Sequence, residues 1–188
     1  MNALLNNMSI YEKTVAYVDD AYNGKQKPHF ERAVYWLEQF LPDCTDAHRV
    51  AAYAHDIERA FRPADKKEPD DYLDKEFLTY HQERGAEIMR DFLTKEGQSE
   101  EFITTVVHII SQHEFGGDDV QNAMMDADSV SFFETNAENF VHKKAAIEGY
   151  EKVKRKLDWM FERIVSKQAK DEARGNYERL TGELKGNA

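Results

Sequence analysis

The stretch Glu151 to Lys170, EKVKRKLDWMFERIVSKQAK, decides the fold class. Its Lys, Glu, Arg, Leu and Met residues lose little side-chain freedom in a helix, and neither Gly nor Pro interrupts them. Val153, Leu157, Met160, Phe161 and Ile164 lie on one helical stripe, which Phe140, Ile147 and Tyr150 extend upstream. The region from about 137 to 185 therefore reads as long, charged helices, with a break expected near Gly175. Only nine Gly and four Pro occur in a chain of 188 residues that is 32% charged, so breaks are few elsewhere too. The expectation is an all-α protein, a single domain over 1–188 built as a bundle of about six to eight helices.

Working outward, Ser9 and Glu12 have capping-box spacing ahead of a first helix over about 10–22 that stops at Asn23-Gly24. Pro28 suits a first helical turn, and Phe30, Ala33, Val34, Leu37, Phe40 and Leu41 mark a second helix over 28–41. Thr45 or Asp46 caps a third, predicted to run to about Phe61. There Ala51, Ala52 and Ala54 let neighbours approach closely, as a central helix requires. RPADKKEPDD, 62–71, reads as a charged loop. Helices over about 72–95, 99–113 and 119–134 follow, separated at Lys95-Glu96-Gly97-Gln98 and at Gly116-Gly117-Asp118.

A chain of this size with 41% hydrophobic residues can bury on the order of two-thirds of its unfolded surface. The formal charge of −11 repels phosphate backbones and anionic head groups, so neither nucleic acid nor a membrane is an expected partner. Cys44 is the only cysteine, and no apolar run approaches the ~18 residues of a membrane span. A reducing, cytoplasmic setting is the expectation.

Seven histidines in a small helical chain raise the question of which lie on buried faces. His81 falls on the stripe Leu78, His81, Gly85, Ile88, Phe92, and His113 on Phe102, Val106, Ile109, His113, so both are expected to point inward. His108 shares its face with Thr104, Thr105, Ser111 and Gln112 and belongs to solvent. His48, about 10 Å along the helix from His55, suits a surface role near a helix start. His142 sits among charges beside Lys143 and Lys144. In His55-Asp56 the neighbours lie about 100° apart on a helix, yet both can reach an interior point if that helix is central. A buried aspartate needs a cation, hydrogen bonds or a shifted pKa, and a metal ion supplies the first.

The order His29, His55-Asp56, His81 in YHQERGAEIM, His113 in VVHIISQHEF and Asp128 in DADSV resembles the HD-domain superfamily of metal-dependent phosphohydrolases, over residues 29 to 130. The resemblance implies an HD-domain-like core over about 28–135. It implies a first metal site of His29, His55, Asp56 and Asp128, with His81 and His113 forming a second site or contacting phosphate. Asp126 competes with Asp128, and the Ala-Asp-x-apolar frame favours Asp128. Subfamily marks are missing: Glu58 stands where several subfamilies carry Gly, no Gly-Tyr-Pro follows His113, and Ser129-Val130-Ser131 follows Asp128.

One or two divalent transition metals are the implied cofactors, with Mn, Fe, Zn, Co and Ni all compatible with His/Asp donors. Asp56 is expected as the catalytic residue, with Arg59, one turn beyond His55, and Lys143 as substrate-binding cations. The expected reaction is hydrolysis of a small phosphomonoester or nucleotide by metal-activated water, the small phosphorylated substrate being the implied partner. Two other readings use the same ligands: an HD-type di-iron oxygenase, and a non-catalytic metal-binding regulatory module with the C-terminal helices as partner surface.

Overall fold

A computed structural model describes residues 8–63 and 69–186, with side chains to Leu184. Within them the chain forms ten helices and no strand: α1 Ile10–Tyr22, α2 Lys27–Phe40, α3 Asp46–Ala54, α4 Glu58–Phe61, α5 Lys75–Lys95, α6 Glu100–Ile110, α7 Asp119–Thr135, α8 Ala137–Glu148, α9 Tyr150–Glu162 and α10 Lys167–Gly186. The all-α expectation holds. The count exceeds six to eight because two predicted helices are subdivided.

The start signals act locally as the sequence suggests. Ser9 and Glu12 form a reciprocal capping box on α1, and Asp118 with Gln121 forms one on α7. His48 Nδ1 accepts the Thr45 amide at 2.9 Å, so this histidine helps to start α3. The helix predicted over 72–95 starts at Lys75, where Asp74 Oδ1 accepts from Phe77 N at 2.8 Å. Of the predicted 62–71 loop, residues 64–68 lie outside the described residues.

α3 is central. It packs against α1, α2 and α6, and Val50, Ala51, Ala52, Tyr53 and Ala54 are all buried. Alanine side chains bring the neighbouring backbones close, and each large side chain buried around them, such as Leu37, Ile109 or Met124, contributes about 1.5–3 kcal/mol. α7 is buried on almost every side from Ala123 to Ser131, with α2 on one flank and α10 on another. Polar residues on such a helix must find partners inside the protein, which makes Asp126, Asp128, Ser129 and Ser131 informative.

The predicted helix to Phe61 breaks after Ala54, although no Gly or Pro lies there. Its backbone switches to tighter i to i−3 bonds, Ile57 N to Ala54 O and Arg59 N to Asp56 O, both 3.0 Å. Side chains take freed carbonyls: His55 Nδ1 lies 2.8 Å from Ala52 O, and Tyr22 Oη donates to Asp56 O at 2.5 Å. The helix predicted to reach residue 113 ends at Ile110, leaving His113 in the following turn.

The C-terminal region forms three helices. The first break falls at Gly149, whose φ of +91° suits glycine, and leaves Ile147 exposed rather than on the apolar stripe. The second lies at 163–166. Gly175 sits inside α10 and breaks nothing, since tertiary packing outweighs the roughly 1 kcal/mol propensity cost of one glycine. Among the described residues no helix is long and apolar enough to cross a membrane.

Candidate metal centre

Five elements meet at one buried cluster: α2 supplies His29, the turn after α3 supplies His55 and Asp56, α5 supplies His81, the turn after α6 supplies His113 and α7 supplies Asp128. All six residues proposed from the sequence come together. Asp56 shares two groups of closely spaced ligand atoms, one with His29 and His55 and one with His81 and His113, each within 4.8 Å. Asp128 Oδ1 lies 3.3 Å from Nε2 of both His29 and His55. Gly85 packs directly against this turn, where even a Cβ would lie only in ordinary contact, 3.4 Å from His55 O.

His55 and His113 share one local device. Each ring's Nδ1 reaches the carbonyl three residues back, Ala52 O at 2.8 Å and Ile110 O at 2.7 Å, at the end of its helix. That bond fixes the ring and the tautomer with the proton on Nδ1, leaving the Nε2 lone pair to point into the cluster. Both Nε2 atoms are buried without a hydrogen-bond partner. A buried neutral lone pair facing carboxylate oxygens is unfavourable unless a cation stands between them. The donor set thus fits a metal ion.

His29 and His81 are also braced from behind. Ser131 Oγ lies 3.0 Å from His29 Nδ1, and Glu58 Oε2 lies 2.8 Å from His81 Nδ1, while His81 Nε2 is 2.9 Å from Asp56 Oδ1. Glu58 is therefore a support for His81, held in turn by Arg62 at 2.6 Å. The electrostatics follow this wiring. Burial opposes charge on His55, but Asp128 beside it raises the ring to about 9, so a positive charge between the two is favoured, whether a proton or a metal ion. Burial pulls His113 down to about 4 despite Glu114, keeping it neutral and ready to donate a lone pair.

Asp126 and Asp128 separate cleanly. Asp126 accepts from Val165 N at 2.7 Å and Ser166 N at 2.9 Å, fixing the chain ahead of α10. Asp128, the residue the Ala-Asp-x-apolar frame favours, faces the histidines instead. His108 is exposed and bonded to Asp118 at 2.6 Å, outside the cluster as its periodicity requires. Arg59 does join the centre, with Nε 3.0 Å from Asp56 Oδ1. Lys143 does not: it is exposed on α8, and none of the cluster's polar contacts includes it.

Three groups that the sequence reading overlooked complete the site. Glu114, buried beside His113, places Oε1 3.9 Å from Nε2 of both His81 and His113. Arg163 holds Glu114 Oε2 at 2.6 Å, Asp128 Oδ2 at 2.5 Å and Ser129 Oγ at 2.8 Å. Burial would raise Glu114, yet Arg163 chiefly holds its carboxyl down at about 2. Lys156, half-buried on α9, stacks its ammonium 4.3 Å from the Trp159 ring centroid. Burial pulls it down to about 8, with Glu114 acting against that. The available signal was the seven-residue spacing of Lys156 and Arg163 beside the apolar stripe.

Fold and cluster together define an all-helical protein with a buried histidine and carboxylate centre that suits one or more metal ions. Residues 11–182 match the family model described as a domain of unknown function (DUF4202), and the chain belongs to that family. No curated protein and no solved structure matches it.

Proposed function

We propose that the protein is an HD-type, metal-dependent phosphohydrolase that cleaves a small phosphomonoester or nucleotide. The observation that carries this reading is the pair of partnerless Nε2 atoms on His55 and His113, buried among carboxylates and locked by backbone bonds on the far side of each ring. In this reading His29, His55, Asp56 and Asp128 hold one divalent ion, and Asp56, His81 and His113 hold a second. A bound divalent ion supplies a water of lowered pKa and neutralises charge on a phosphoryl oxygen.

The chain's own residues do the rest. Ser131, Ala52 O, Glu58 and Ile110 O fix four imidazoles, so no ring has to reorient when substrate arrives. Asp56 is the group at the open edge, with 19% of its side chain exposed while His55, His81 and His113 have none, so a reacting phosphate enters beside it. Asp56, Glu58, Glu114 and Asp128 are balanced by Arg59, Arg62, Arg163 and Lys156. Divalent ions added to that neutral set make the centre positive, which suits a phosphate dianion and offsets the chain's overall charge of −11.

Elemental analysis of the purified protein beside a phosphoester screen with Mn or Co tests the proposal. Bound transition metal and metal-dependent phosphate release are expected. A protein that carries no transition metal and releases no phosphate with any of them would overturn it, and oxygen consumption with bound iron would move the same ligands to oxygenase chemistry.

A further inference from the structure

We infer that Lys156 is the substrate-recognising cation of the centre, a phosphoryl-binding residue poised at the edge of the metal cluster on α9. The inference deepens the phosphohydrolase reading and rests on it for the substrate class. It starts from what the other cations are doing. Arg59 is paired with Asp56 at 3.0 Å, and its second nitrogen lies 3.8 Å from Glu114. Arg62 is fastened to Glu58, and Arg163 spans Glu114, Asp128 and Ser129. Each of these guanidiniums neutralises a carboxylate that orients the site, so none can turn to a substrate without releasing one.

Lys156 makes no ion pair and no hydrogen bond to any described residue. Its ammonium rests on the Trp159 ring, which Arg163 also faces, with its guanidinium carbon 4.5 Å from the ring centroid. Positions 156, 159 and 163 share one face of the α9 turn, so the face that carries Arg163 to Asp128 carries Lys156 beside it. Glu114, Arg163, Arg59 and Asp128 are the charges that act on its ammonium, and they are the charges of the centre. A half-buried ammonium with no anion within ion-pair distance among the described residues is costly. A phosphate dianion at the open edge, beside Asp56, would supply that anion, and the flexible lysine stem, resting on Trp159, can deliver three donors to it.

Inorganic phosphate is the probe, titrated calorimetrically into the full chain loaded with Mn. Lys156→Met keeps the length and packing of the stem over Trp159 and removes only the charge. We expect its phosphate Kd to rise about tenfold or more, the loss of one charge-assisted contact, with metal content unchanged and Tm no lower than that of the wild type. Lys156→Arg should recover most of the affinity. With p-nitrophenyl phosphate the Met variant should show a raised KM and a smaller change in kcat. Equal phosphate affinity in the wild-type and Met proteins would overturn the inference, as would a metal-loaded wild type that binds no phosphate. Phosphate affinity that drops in the Met variant of a protein that turns over no phosphoester would sustain the anion subsite while removing the phosphohydrolase reading.

Discussion

The two ends of the centre are built from the same residue types but braced differently. At the closed end His29, His55 and Asp128 are backed by a serine hydroxyl, a backbone carbonyl and the Arg163 guanidinium. At the open end His81 is backed by the Glu58 carboxylate, Asp56 is paired with Arg59, and Asp56 keeps contact with solvent. A hydroxyl or carbonyl behind a ring fixes its orientation, whereas a carboxylate also raises its electron density and basicity. On the proposed function, the closed end would retain an ion and the open end would tune one that meets substrate.

The sharpest break in that comparison comes from deleting one ligand at each end. His55→Ala should strip metal from the whole centre, lower activity more than about 100-fold and reduce thermal stability, because Asp128 loses a partner in a buried place. His113→Ala should retain about one equivalent of metal while losing most activity. Equal metal loss in both, by elemental analysis, would merge the two ends into one site. A step down in effect, Glu58→Gln keeps a hydrogen bond to His81 but removes the charge, and should cost about 10–100-fold in open-end metal affinity or activity. Ser131→Ala should fall at or below the lower end of that range, and a larger loss there would reverse the assigned roles.

Smaller effects test the surroundings. Asp126→Ala should cost about 1–3 kcal/mol of stability through the orphaned Val165 and Ser166 amides, with metal content unchanged. Chemical denaturation and elemental analysis read the two quantities separately. His108→Ala should change stability by no more than about 0.5 kcal/mol and leave activity intact, and damage matching that of His113→Ala would mean that α6 has been given the wrong inward face.

How much of this was legible in the sequence depended on whether the signal was local. Helix faces, the glycine beside His81 and the capping residues are written in spacings of three and four, and the family resemblance supplied the six candidate ligands. The break after Ala54 was not legible, because neither Gly nor Pro lies there to signal it. It is stabilised by Tyr22 from α1, a tertiary contact, and by His55's own ring bonding back to Ala52 O. His113 was assigned inward on a helical period, although it reaches the interior from a turn beyond the helix end. Arg163 stands 35 residues from Asp128, and nothing in the intervening sequence announces that they meet.

Arg163 also gives the C-terminal hairpin of α9 and α10 a meaning beyond shape. One guanidinium touches the carboxylates at both ends of the centre, and two residues from Asp128 the neighbouring Asp126 grips the backbone that starts α10. The hairpin is thereby an internal counterion, delivered late in the chain to a pocket whose acids come from earlier segments. Asp56 and Glu58 have their own guanidiniums within the first half of the chain, whereas Glu114 and Asp128 gain Arg163 only when the last helices fold back onto them.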